Sequence, residues 1–230
     1  MKSLQKQQKP ESNISSSKRF LEILKFGIFG AIGFGVGGLS QWFWEEFYNI
    51  PLFNTPTLGY INSDYILTLI SFGAIGGLVL GLAIKDWKKA RILALAGAVG
   101  FISGFFVGVL VVDYVIGSPP TEWAVLGKVL YDFMKILILW AVIGAIVGAS
   151  LGYVFFKEWK QVLIMALAGG IGYLIGNFSS IVFLPLLMSS DITMINTFLM
   201  LVFEGAIGGL FLGLALGWLE TGKKYSKKTQ

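Results

Sequence analysis

The sequence predicts an all-α polytopic membrane protein, with six transmembrane helices arranged as three tandem two-helix repeats. Three observations carry this reading. The 230 residues are 55% hydrophobic and only 13% charged, and the apolar runs reach the length of a spanning helix. Nearly all the charges fall at the ends of those runs. The segment Gly73-Ala-Ile-Gly-Gly-Leu-Val-Leu-Gly-Leu-Ala83 returns almost unchanged at 205–215, and more loosely at 144–152.

A soluble domain of this size needs a charged shell, and the central part of the chain has no residues to build one. The runs are continuous, which excludes the short alternation of a barrel strand. At about 1.5 Å per residue, some 20 residues cover the ~30 Å hydrocarbon layer.

Taken in order, residues 1–17 are polar and lysine-bearing and predict a disordered cytoplasmic arm. Ser17 is expected to cap a helix beginning near Lys18. Span 1, about 24–44, ends in the aromatic and acidic cluster Trp42 to Glu46. Residues 48–63, with Pro51, Pro56 and Gly59, predict a loop, and Ser63 or Asp64 a cap for span 2 at about 65–84. The turn Lys85 to Lys89 leads to span 3 at about 90–112, closed by Asp113 and Gly117-Ser-Pro-Pro120. A helix from Thr121-Glu122 is amphipathic and interfacial to about Lys135, and span 4 continues it to Phe156. The turn Lys157 to Lys160 precedes span 5 at about 161–184, which stops near Pro185. Asp191 starts span 6, which ends at Trp218, and 220–230 is a basic cytoplasmic tail.

The repeat has a fixed arithmetic. Adding 72 takes Lys85-Asp86-Trp87-Lys88 to Lys157-Glu158-Trp159-Lys160, and Gly97, Gly100 and Gly104 to Gly169, Gly172 and Gly176. Subtracting 67 takes the same glycines to Gly30, Gly33 and Gly37. The units are 18–84, 85–156 and 157–219, within one transmembrane domain 18–219. Each pair of spans returns the chain to its starting side, so the copies share an orientation and a pseudo-threefold axis along the membrane normal. These nine glycines, with Gly73, Gly76, Gly144, Gly148, Gly205 and Gly208, recur every three or four residues and predict glycine-striped helix packing.

Charge sets the expected topology. Nearly all Lys and Arg lie at the termini and the two Lys-Trp turns, so both termini are expected in the cytoplasm of a multi-pass cell-membrane protein. Trp87, Trp159 and Trp218 then mark the inner interface, and Trp42, Trp44 and Trp123 the outer one.

The chain has no Cys and no His. Disulfides, thiolate nucleophiles, Cys/His zinc sites and His-based triads are excluded. No phosphate-binding Gly-Lys-Ser/Thr loop is present and no pair of Asp lies within the spans. The expectation is a non-enzyme with no cofactor and no metal. The basic balance belongs to topology, so the expected partner is the lipid bilayer and not nucleic acid. A protein partner is expected, if at all, at the outer loops (48–63 and 118–135) or the basic ends.

Glu204 is the one ionisable side chain expected well inside a span. Gly205 aligns with Gly73, so Glu204 takes the place of Phe72, eight residues below Asp64 and roughly 12 Å deep. An acid there is expected to face the protein interior. It is the candidate proton or cation site, with Ser71, Ser103, Tyr173 and Asn177 as candidate partners; the alternative role is a protonated hydrogen-bonding clamp. A small-solute or ion transporter, channel or uptake subunit is favoured, against a non-transporting scaffold or assembly factor. Polar residues converging on a cavity would favour the first, and a solid interior the second.

Overall fold

The structure, a computed structural model, describes residues 16–47, 50–55, 59–119, 125–187 and 193–226. Six of its helices are long and apolar enough to cross a bilayer, which makes this a multi-pass membrane protein. The elements are α1 (Ser16–Gly38), α2 (Ser40–Phe47), β1 (Pro51–Thr55), β2 (Gly59–Asn62), α3 (Ser63–Ala83), α4 (Trp87–Leu110), a π-helical segment (Val111–Ile116), α5 (Val125–Phe156), α6 (Trp159–Leu187) and α7 (Thr193–Ser226). The spanning helices are α1, α3, α4, α5, α6 and α7. Each packs on the next in chain order, and α7 closes back on α1. The end carrying β1 and β2 is the hairpin end, and the end carrying Lys85 and Lys157 is the turn end.

The turns explain where two helices begin. Lys85 and Lys157 both take a left-handed backbone, with φ of 62° and 59°, which costs an L-residue about 1–2 kcal/mol and cannot continue a right-handed helix. Asp86 then caps α4, accepting from the backbone N–H of Lys88 at 3.0 Å and of Lys89 at 3.2 Å. At the second turn Glu158 pairs with Lys223 of α7 at 3.1 Å.

Several boundaries differ from those the sequence predicts. The first helix begins at Ser16, so Ser17 lies within it, and it breaks at Leu39 into α1 and α2. Ser40 Oγ donates to the Gly37 carbonyl at 2.7 Å across that break, satisfying a helix-end acceptor. The expected loop 48–63 contains an antiparallel hairpin, with Asn54 opposite Tyr60. The residue preceding α3 is Asn62, with no side-chain cap bond, while Ser63 Oγ accepts from Ile50 N–H at 3.3 Å. Span 3 does not close at Asp113. It continues as the π-helical segment to Ile116 and ends at Gly117, whose φ of 76° suits glycine. The last helix runs to Ser226 instead of ending at Trp218. The arm 1–15, Trp123, the Thr121-Glu122 start and the Asp191 cap lie outside the described residues.

Lateral faces are aliphatic. Ile28 and Ile32 on α1, Ile92, Leu95 and Val99 on α4, and Leu163, Leu167 and Ile171 on α6 point outward at helical spacing. Water would penalise such a surface and lipid does not. Trp87, Trp159 and Trp218 are likewise exposed at the turn end. The side chain of Trp42 lies outside the described residues.

At several glycines two helix backbones lie so close that a Cβ would strike the neighbour. A Cβ on Gly73 would run into the Gly97 carbonyl and one on Gly97 into that of Gly73; Gly144 and Gly169 face each other in the same way, as do Gly209 and Gly30. A Cβ on Gly148 would meet the Met165 carbonyl. By contrast, a Cβ on Gly35 would make only ordinary contact, at 3.5 Å, with Ala206. Backbone cannot step aside as a flexible side chain can, so the expected cost of Gly73→Ala or Gly148→Ala is at or above the upper end of the ~1–3 kcal/mol range for overpacking. Gly35→Ala is expected to stay within about 1 kcal/mol of the parent. Unfolding midpoints of the three variants in detergent check this ordering, and equal midpoints would refute it.

Candidate functional site

The interior is filled by rings at mid-depth. Phe34 of α1, Phe101 of α4 and Tyr173 of α6 meet mutually, with centroids 6.0, 6.3 and 5.5 Å apart. Phe72 of α3 packs on Phe101 at 4.9 Å, and Trp140 of α5 stacks on Tyr173 at 6.1 Å. Glycines let these rings in: a Cβ on Gly76 would strike the Phe34 ring, and one on Gly208 the Tyr173 ring.

Glu204 projects from α7 beside this cluster. It is 2% exposed, and its backbone lies against Gly176 of α6, whose Cβ would stand 2.8 Å from the Glu204 carbonyl oxygen. That close approach brings the next residue, Asn177, into reach. Its Nδ2 donates to Glu204 Oε2 at 3.3 Å. Tyr173, four residues earlier on α6, lies on the same helix face. Tyr65 of α3 and Tyr173 are both within electrostatic range of the carboxyl.

Three oxygens here have no hydrogen-bond partner among the described residues: Glu204 Oε1, Asn177 Oδ1 and the Tyr173 hydroxyl. Each such buried atom costs of the order of 1–3 kcal/mol if left unmade, so each requires a reason.

The other two candidate partners do not join the site. Ser71 Oγ accepts from Trp44 Nε1 at 2.8 Å, tying α2 to α3. Ser103 Oγ donates back to the carbonyls of Val99 at 2.7 Å and Gly100 at 3.2 Å, the usual resort of a serine in a spanning helix. Both expectations are corrected by local geometry, since a short hydroxyl finds the nearest acceptor or indole donor first.

Sequence reasoning missed the directions of other polar residues. Asp64, Thr68, Lys135, Asn177, Ser180, Glu204 and Thr221 are the buried polar or charged side chains among the described residues. All but Thr221 lie in the hairpin half of their helices. The signal was available: Asp64, Thr68 and Phe72 step by four on α3, and Lys135, Leu139 and Ile143 step by four on α5, so the polar members extend a buried apolar stripe. The turn half is sealed instead by Leu80, Leu93, Leu151, Met165, Leu212 and Leu216, all fully buried.

A double-mutant cycle tests the Asn177–Glu204 contact. Asn177→Leu is expected to destabilise by about 1–3 kcal/mol, because it strips the carboxyl of its amide donor. Adding Glu204→Met should restore most of that loss, since removing both polar partners leaves nothing unsatisfied. Unfolding in detergent measures all four corners, and strict additivity would show that the two side chains do not interact. No family model, curated protein or solved structure matches this chain.

Proposed function

We propose that this membrane protein is a small-solute or ion transporter, channel or uptake subunit, with Glu204 and its neighbours as a proton or cation station reached from the hairpin side. The observation that carries the proposal is the group of three buried, unpartnered oxygens at Glu204, Asn177 and Tyr173. A membrane bundle held together for its own sake is satisfied by apolar fill. Intramembrane carboxyls are costly and mark ion or proton paths by default. The polarity of the interior supports the same reading, with buried polar groups in the hairpin half and an aliphatic seal in the turn half.

The alternative is a non-transporting scaffold or assembly factor, binding a protein partner through the outer loops or basic ends. The observation in its favour is the interior itself. Phe34, Phe72, Phe101 and Tyr173 are fully buried and close the centre.

The scaffold is proposed to be three tandem two-helix repeats around a pseudo-threefold axis with glycine-striped packing. Phe34, Phe101 and Tyr173, which meet mutually, are separated by the repeat offsets of 67 and 72. So are the outward-facing Ile28, Leu95 and Leu167. The close pairs Gly73 with Gly97 and Gly144 with Gly169 differ by 71 and 72, as equivalent positions should. Within each repeat, Gly37 lies against Phe72, Gly104 against Ile143 and Gly176 against Glu204, so Glu204 occupies the Phe72 place relative to its own hairpin partner. The chain is proposed to be non-enzymatic and without cofactor, because it lacks Cys and His.

Sidedness rests on the basic turns and ends. With both termini cytoplasmic, reporter fusions at Gln230 and at Asn54 are expected on opposite sides of the cell membrane. The same side for both would overturn the six-span topology.

Reconstitution tests transport. Liposomes containing the protein are expected to dissipate an imposed proton or sodium gradient faster than empty ones, followed with lumenal dyes, and Glu204→Gln is expected to lose most of that flux. Flux no greater than that of empty liposomes under both gradients would favour the scaffold. Flux undiminished in Glu204→Gln would reduce Glu204 to a structural clamp.

A further inference from the structure

We propose that Glu204 Oε1, Asn177 Oδ1 and the Tyr173 hydroxyl bind a small monovalent metal cation of sodium size. The inference rests on the reading of Glu204 as an ion station and specifies what occupies it.

The donor and acceptor count comes first. Asn177 spends its amide nitrogen on Glu204 Oε2 at 3.3 Å, which leaves Oδ1 as a pure acceptor. Glu204 Oε1 is a second unpartnered oxygen and the Tyr173 hydroxyl a third, all buried. No donor among the described residues reaches Glu204 Oε1 or Asn177 Oδ1. A proton on the carboxyl makes one donor and satisfies one acceptor. A hard cation accepts several oxygens at once, and oxygen-only sets are what alkali and alkaline-earth ions select.

Charge then decides valence. Among the described residues, Glu204 is the one carboxylate hydrogen-bonded to Asn177. The nearby titratable groups on neighbouring helices are the phenols Tyr65 and Tyr173. Asp64, whose Oδ1 is likewise buried without a partner, and Lys135 are the other buried charged side chains among the described residues, in the hairpin halves of α3 and α5. One carboxylate neutralises a monovalent ion. A divalent ion would retain an uncompensated charge in a low-dielectric interior, which is expensive, and divalent sites commonly gather several carboxylates.

Packing decides size. Glu204 is held against Gly176, Tyr173 against Gly208, and Gly205 against Phe34 and Phe72, so that even one added methyl group would collide at each glycine. Such close packing of α6 and α7 favours the smallest hard cation, stripped of most of its water, with any remaining coordination supplied by retained water.

The test uses the purified full chain in detergent. Its thermal unfolding midpoint is followed as NaCl replaces choline chloride at constant ionic strength. A ligand that binds only the folded state raises the midpoint progressively once its concentration passes the Kd. The wild-type midpoint is expected to climb with sodium and to show no comparable rise with calcium chloride. Glu204→Gln and Asn177→Ala are each expected to lose the sodium response. Equal wild-type midpoints in sodium and choline overturn the inference without any variant having to fold. A sodium response retained in Glu204→Gln also overturns it, by placing the ion elsewhere. The transport reading fails separately. Sodium stabilisation without flux in liposomes would leave a structural ion in a scaffold. Proton flux lost in Glu204→Gln without sodium stabilisation would leave a proton station.

Discussion

Backbone-to-backbone approach at glycine is the constraint on which the rest of this structure depends. In lipid, apolar burial gives no drive between helices, so association rests on close van der Waals packing and interhelical hydrogen bonds. Gly73 with Gly97, Gly144 with Gly169 and Gly209 with Gly30 bring carbonyl groups to where a Cβ would otherwise stand. Helices this close have little space between them for side chains. Large residues therefore go to two places, the lipid-facing surface and the buried interior. The aliphatic set Ile28, Leu95 and Leu167 takes the first, and the aromatic set Phe34, Phe101 and Tyr173 takes the second. A ring can fill an axial space that aliphatic side chains of glycine-rich helices would leave as a void.

The same constraint explains what the sequence discloses. Six apolar runs, the two Lys-Trp turns and the glycine spacing are properties of composition and period, and they read directly. Glu204 and Asn177 read for a related reason. An acid deep in a span must face inward, and an amide at a similar depth on a neighbouring span is among its nearest polar prospects. What did not read is local competition. Leu52, Phe53, Tyr60 and Ile61 are strand formers, but Pro51, Pro56 and Gly59 dominate the pattern and hide the hairpin. Ser71 looks like a partner by depth alone, and the indole of Trp44 claims it from a short helix whose separate existence depends on the break at Leu39. The π-helical segment at 111–116 is one extra residue per turn, and Val111-Val112 carries no composition cue for it. The amphipathic pattern up to Lys135 suggests an interface, although the four-residue spacing of Lys135 from Leu139 places it on the buried face.

On the proposed register, chemistry is concentrated in one of three similar copies. Where the first two repeats place Phe34 and Phe101 on the axis, the third places Tyr173, the same ring with one oxygen added. Where they place Phe72 and Ile143, the third places Glu204. The substitutions are neighbours in space and would be expensive singly. A phenol among rings has no partner, and a carboxyl in hydrocarbon has none either. Together with Asn177 they form one polar locus and leave the remaining axial contacts apolar.

On the same proposed register, the third copy also departs where its last helix meets α1. α3 is stopped at the left-handed Lys85 and α5 at the left-handed Lys157, each after three glycines spaced by four, Gly73, Gly77 and Gly81 or Gly144, Gly148 and Gly152. In α7 the spacing by four runs to a further member, Gly217. By sequence, Gly205 corresponds to Gly73 and should meet Gly30. Instead Gly209 meets Gly30, Gly213 meets Phe26 and Gly217 meets Ile23, while the contacts of α7 with α6 keep the expected register. The ring therefore closes with a step of one helical turn, about 5.4 Å, confined to the contact between α7 and α1. A stripe with a glycine every fourth residue makes that step inexpensive, because each displaced position again presents a glycine to the neighbouring backbone. The step sets Glu204 one turn nearer the hairpin end, measured against α1, than its sequence alignment implies. Its carboxyl is left level with Asn177 on one side and, on the other, with the end of α1, where Gly38 lies against Leu201 and Val202.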